Sequence, residues 1–189
     1  MIKSKRDLKW YLEKDALAMG LKDKNLFKEY LKGNLYDLNT WKLIKKLRNF
    51  EYLDYKFRKN NSIFIKIRYI IAKHFYQRHC LHNNVFISPN VFQEGLHIVH
   101  PGYIWVDNSA VIGRNCTILP RVLLGKKKPG IPFPNIFIGD NCYIGTGATI
   151  LGPVKIGNNV IIAAGSVVIN DVDDNSVVAG VPAKVVKYT

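Results

Sequence analysis

The sequence predicts a mainly β chain, a three-sided parallel β-helix behind an α-helical region, and three observations carry that expectation. Aliphatic residues recur every six positions, at Val106, Ile112, Ile118 and Leu124 and again at Ile138, Ile144, Ile150, Ile156, Ile162 and Val168. Four positions after each aliphatic but Leu124 stands a small or β-branched residue: Ala110, Cys116, Val122, Cys142, Ala148, Val154, Val160, Ser166 and Val172. Glycine, proline and asparagine are frequent after Val85, whereas the first 82 residues contain no proline.

The period of six has a geometric reason. A hexapeptide that forms one short flat strand and one turn needs three copies to close a triangular coil. The first residue then points to the centre, where aliphatics stack coil on coil, and the fifth points inward near a corner that admits only a small side chain. Gly and Asn suit the corners because they tolerate the backbone those turns require. Cys116 and Cys142 read as small core fillers.

The helical region comes first, at residues 1–82, and the β-helix is expected over 83–189. Polar breaks at Gly20, Gly33-Asn34 and Asn60-Asn61-Ser62 separate the helices. Leu8, Tyr11 and Leu12 share one face of the first. Trp41, Ile44, Lys45 and Arg48 give a later one apolar and basic faces. Ser62 is placed to cap the stretch 63–78, in which Ile67, Ile70, Ile71 and Phe75 recur at helical spacing.

The chain has 189 residues and a formal charge of +14. Residues 1–82 hold 20 Lys and Arg against 8 Asp and Glu, so nearly all the excess lies there. A basic face of this kind attracts an anionic partner, and composition alone does not choose which. No run approaches the ~20 apolar residues of a membrane span, and no apolar segment follows the basic start, so a cytoplasmic location is expected. Cys80, Cys116 and Cys142 have neither disulfide nor zinc spacing. The group His74, His79, Cys80 and His82 lacks a second ligand group at zinc-finger spacing, so no metal is expected.

The run Ile138-Gly139-Asp140-Asn141-Cys142-Tyr143-Ile144-Gly145 resembles the bacterial hexapeptide transferases, and Ala179-Gly180-Val181-Pro182-Ala183-Lys184-Val185-Val186 resembles their C-terminal signature. The resemblance covers roughly residues 85–189. It implies a left-handed helix, an acetyl-CoA donor, and a homotrimer with sites between neighbouring subunits.

The segment from Gly95 to Ile104 holds the only two histidines of the β region. It is similar to the catalytic segment of serine acetyltransferases and polysaccharide O-acetyltransferases, with His100 at the position of the base. Transfer of an acetyl group to a hydroxyl needs such a base and a donor to the oxyanion. By the same resemblance acetyl-CoA is expected to meet Gly125, Lys126, Thr146, Ala164 and Lys184, and the acceptor Glu94, His97, Trp105, Asp107 and Asn135. Lys126, Lys127 and Lys128 open a projecting loop that could meet phosphates or an acidic glycan.

Departures from the serine acetyltransferase pattern bear on the acceptor. Val99 replaces the aspartate before the base, Pro134-Asn135 replaces an Arg-His pair, and the orienting aspartate falls on Val85 or Phe86. Glu94 or a backbone carbonyl is left to orient His100. The expected acceptor is therefore a sugar hydroxyl of a bacterial surface polysaccharide or its precursor. Serine O-acetylation is one alternative, and a non-enzymatic scaffold with a membrane- or nucleic-acid-binding preface is another. Nucleic acid is not expected with the enzymatic reading. For the stretch 63–78 two expectations stand: a peripheral contact with the inner face of the membrane, or packing of its apolar stripe on the first coil.

Overall fold

The computed structural model describes residues 1–21, 31, 33, 35–60, 62–132 and 135–188. Pro134 of the sequence argument lies outside them. Among the described residues three α-helices precede fourteen strands: α1 (Lys5–Ala18), α2 (Leu35–Lys59) and α3 (Ile63–Asn83).

Ser4 starts α1 through a capping box, its hydroxyl accepting from Asp7 N while the Asp7 carboxylate accepts from Ser4 N. Ser62 precedes α3, but its side chain makes no capping bond; instead its own N–H donates to Asn60 Oδ1. Asn84, in the left-handed conformation, ends α3 and turns the chain into the first strand.

The strands form three parallel faces. The first face stacks β1 (Val85–Ile87), β3 (Ile104–Val106), β6 (Leu123–Lys126), β9 (Thr149–Gly152) and β12 (Val167–Val168). The second stacks β4 (Ala110–Ile112), β7 (Ile136–Ile138) and β10 (Val154–Ile156), extended by single bridges to Phe92 above and Val172 below. The third stacks β2 (His97–Ile98), β5 (Thr117–Ile118), β8 (Tyr143–Ile144), β11 (Ile161–Ile162) and β13 (Ser176–Gly180). Finally β14 (Ala183–Tyr188) folds back antiparallel on β13.

The register agrees with the period of six. Val106, Leu124, Ile150 and Val168 lie above one another on the first face, and Ile118, Ile144 and Ile162 on the third, all at 2% exposure or less. The inward fifth positions are buried as well, Cys116 and Cys142 included. One corner is held by a column of left-handed asparagines, Asn115, Asn141, Asn159 and Asn175, each passing an amide hydrogen bond of 2.8–3.1 Å to the next. Asparagine supplies both the permitted φ and the rung.

The helices share the core of the prism: Trp41, Ile44, Leu47, Phe50 and Tyr76 join the same buried cluster as the coil aliphatics. Arg48 is not on a basic face, as the sequence pattern suggests, but fully buried. Its guanidinium donates to Asp15 (2.8 and 3.3 Å), to Glu51 (3.0 Å), and to the carbonyls of Phe92 (2.9 Å) and Gln93 (2.7 Å). Asp15 in turn accepts from the N–H groups of Gly95 and Leu96, both at 2.8 Å, and Glu51 from that of Asn90 at 2.7 Å. The backbone of the first coil, with no coil above it to pair with, is thus satisfied by charged side chains of α1 and α2. Burial opposes the guanidinium charge, but Glu51 and Asp15 outweigh it and hold Arg48 protonated.

Candidate functional site on one open edge of the prism

His100 lies on the corner between the third face and the first. In later coils six residues carry the chain round that corner, from Ile118 to Leu124, Ile144 to Ile150 and Ile162 to Val168, but eight separate Ile98 from Val106. The two additional residues fall within 99–103, where Val99 N still donates to Ile118 O at 3.2 Å while His100 and Tyr103 are exposed. This local break in the repeat is readable in the sequence, since Ile98 and Val106 are out of step with the six-residue period.

Below His100 the same corner descends through Pro120-Arg121, Thr146-Gly147 and Ala164-Gly165. Arg121 N donates to Tyr103 O at 2.5 Å, Gly147 N to Pro120 O at 3.0 Å, and Gly165 N to Thr146 O at 2.8 Å. Gly147 and Gly165 have φ near +70°, and a Cβ on Gly165 would meet nothing within 4 Å. Together with the exposed Ala164 they make an edge of small residues and backbone, about 14 Å long over its three coil spacings. Thr146, its hydroxyl 2.7 Å from Pro120 O, and Ala164 therefore share an edge with His100.

The other expected site residues are more dispersed. Gly125 and Lys126 end β6 at the far side of the first face, and Lys126 Nζ donates to Ile131 O at 2.7 Å. Lys127 Nζ bonds Ile169 O, so two of the three loop lysines hold the loop to the chain itself, while Lys128 is exposed. Lys184 is exposed on β14, past the last coil.

His97, on β2 and half-buried, shares the His100 end of the prism. Burial lowers its pKa from the ordinary imidazole value, the Asp37 carboxylate of α2 opposes the shift, and His100 adds to it. Asp37 is thus a neighbour that sequence reasoning missed, and no local signal in the first turn of a helix distant in sequence points to it. Glu94 faces Tyr11 of α1, and its charge adds to the burial that pushes the Tyr11 hydroxyl up. Where an orienting aspartate would fall, Val85 is buried and Phe86 packs against Trp105 at 5.4 Å between ring centroids.

Trp105 and Asp107 line a different cavity, of about 580 Å³, between α2, α3 and the first face, with Tyr69, Lys73 and Phe86. The side chain of Asp107 also accepts from Ser109 N at 2.9 Å. Asn135 is 5% exposed and anchors the returning loop, its Nδ2 donating to Pro132 O at 2.9 Å and its N–H to Ser109 O at 2.8 Å. Among the described residues no three His, Cys, Asp or Glu side chains converge as metal ligands, and no helix is long and apolar enough to cross a membrane.

A three-sided parallel β-helix on a six-residue repeat is the architecture of the hexapeptide-repeat transferases. The family model for bacterial transferase hexapeptides (six repeats) matches residues 135–170. The chain is 41% identical to serine acetyltransferase 4 of Arabidopsis thaliana over 97 residues, 50% of this chain and 27% of that protein. It is 34% identical to the serine acetyltransferase of Staphylococcus aureus over 130 residues, 67% of this chain and 60% of that one. It thus spans less than two thirds of the length of either relative.

Among solved structures, Neisseria gonorrhoeae serine acetyltransferase in complex with serine is similar with a TM-score of 0.74 and 31% identity, over 97% of this chain and 71% of that one. The Brucella abortus enzyme in complex with coenzyme A gives a TM-score of 0.76 and 28% identity, over 98% and 70%. The chain belongs to the bacterial hexapeptide-repeat acyltransferases, the family of left-handed parallel β-helices, in its serine acetyltransferase-like branch.

Proposed function

We propose that this chain is an acetyl-CoA-dependent O-acetyltransferase in which His100 is the general base. The observation that carries the proposal is the exposed His100 at the head of an edge of small residues, on a corner lengthened from six residues to eight. Acetyl-CoA supplies the activated acetyl thioester. Thr146 and Ala164 would border its arm, with Gly125 and Lys126 across the first face and Lys184 towards the phosphate end.

The chemistry asked of the chain is modest. His100 takes the proton of the acceptor hydroxyl as its oxygen bonds to the acetyl carbon, and returns a proton to the departing thiolate as the carbon–sulfur bond breaks. Imidazole suits this cycle because it starts as the neutral base and becomes the imidazolium acid that protonates the thiolate. His97, held towards the neutral form by burial, can donate or accept a hydrogen bond at the acceptor without adding charge.

The relatives named as serine acetyltransferases, one of them solved with serine bound, support serine as the acceptor. A second reading, a sugar hydroxyl, is favoured by Val99 and by Asn135, which stand where serine acetyltransferases keep charged partners for the amino acid and carry no charge themselves. Serine carries a carboxylate and an ammonium that would be costly to desolvate without partners. Thiol release from acetyl-CoA with L-serine as acceptor separates the readings. Saturable turnover is expected for the serine reading, and an idle enzyme with L-serine that acetylates a glycan would replace it.

The site is open on one side, and a second wall is needed to exclude water from the thioester. We propose a homotrimer that supplies the wall from a neighbouring prism. Sedimentation equilibrium at micromolar concentration is expected to give three times the 21.6 kDa chain mass. A monomer would remove the intersubunit cleft from the proposal.

A further inference from the structure

Helix α3 has two apolar faces, and only one is used. Tyr69, Ala72, Tyr76 and Cys80 turn inward against α2 and the first coil. On the opposite side Ile63, Phe64, Ile67, Ile70, Ile71 and Phe75 are 47–76% exposed. At about 100° per residue the two groups point roughly opposite ways. The stripe that could have packed on the first coil does not do so, because Tyr76 occupies that place, its hydroxyl donating to Ile87 O at 2.5 Å.

Charge is arranged round this row with one sign. Lys66 and Lys73 flank one side, Arg68 the other, and Arg78 follows, while residues 63–83 contain no Asp or Glu. The adjoining side of α2 adds Lys42, Lys45 and Lys46, and the Lys46 ammonium stands 4.9 Å over the ring of Phe75. Lys46, Arg68, Ile71 and Phe75 line one shallow hollow between the two helices. A nearby acid, Asp54, is paired with Arg58 at 2.9 Å.

This pattern selects among occupants. A two-fold contact between copies would set α3 against α3, cations against the same cations with no acid in that helix, and a head-to-tail contact would need an acidic face from a chain whose charge is +14. A lipid surface has no such conflict: the apolar row enters the acyl boundary while Lys and Arg reach outward along its flanks to anionic headgroups. We propose that α3 lies flat on an anionic membrane surface, seated by its exposed Ile and Phe row and held by the cations of α3 and α2. The inference does not depend on the acetyl-transfer reading.

Flotation of the full chain with phosphatidylcholine vesicles, with and without phosphatidylserine, tests it. The chain is expected to float with the anionic vesicles and to be released roughly tenfold or more as salt rises from about 50 to about 500 mM. Ile67→Glu with Ile71→Glu should cut the bound fraction about tenfold or more with the thermal transition unchanged, since both side chains are exposed. Lys66→Gln with Lys73→Gln leaves the apolar row intact and should weaken binding to the anionic vesicles alone. No flotation, equal flotation on both vesicle types, or a row whose substitution changes the sedimenting mass instead of flotation would overturn the proposal.

Discussion

Replacing His100 by alanine is expected to lower acetyl transfer by ~100-fold or more, the scale of a lost general base, with the fold unchanged. The second half of that expectation follows from the structure, because His100 is exposed on a lengthened corner. Steady-state rates of thiol release, with acetyl-CoA affinity measured separately, check it. Undiminished turnover would remove His100 from the role. His97→Ala should act differently, with the larger change in the acceptor KM, since His97 on β2 is half-buried and feels the charges of both Asp37 and His100.

The largest expected effect on stability belongs to Arg48. Arg48→Met leaves Asp15 and Glu51 buried without their shared cation, a loss on the order of 3–5 kcal/mol. It should appear as a lower denaturant midpoint. Burial already pushes the Glu51 carboxyl above its ordinary value in the intact protein, against the pull of Arg48, and removing the guanidinium pushes it further. An acid raised in the folded state contributes stability that is present at low pH and lost as pH climbs through the folded value. The deficit of Arg48→Met should therefore narrow as pH falls from about 8 towards about 5. A deficit that is flat across that range would mean that the carboxylates find other partners.

The two predictions mark how far the sequence could be read. The coil register was legible because stacking imposes the same demand on every sixth residue, and Ile118, Ile144 and Ile162 answer it identically. The segment around His100 singled it out by resemblance, and the structure adds that this segment sits on a corner two residues longer than the later ones. Arg48 was misplaced because Lys45, Lys46 and Arg48 follow one another on a basic helix, while the partner that buries the guanidinium, Asp15, stands 33 positions away. Asp37 and Glu94 show the same limit from the other side: which acid faces which imidazole depends on how α1 and α2 dock on the first coil. The loop lysines were read as ligands for a phosphate or glycan, yet Lys126 and Lys127 reach back to main-chain carbonyls. In α3 a single helical period ran on both sides of the helix, so periodicity alone could not say which face goes inward.

The closed ends of the prism have a consequence beyond stability. A stack of parallel rungs is a template that accepts another strand at whichever end shows bare N–H and C=O groups, and such growth ends in fibres. Here the upper rung offers its polar groups to Asp15, Arg48 and Glu51, and the lower rung of the third face is covered by β14 running the opposite way. A parallel strand cannot continue in register across an antiparallel one in this stack, and an incoming rung at the top meets charged groups already engaged. The ion cluster and the reversed strand therefore set the length of the helix, keeping a fold with the geometry of a polymer as a discrete molecule.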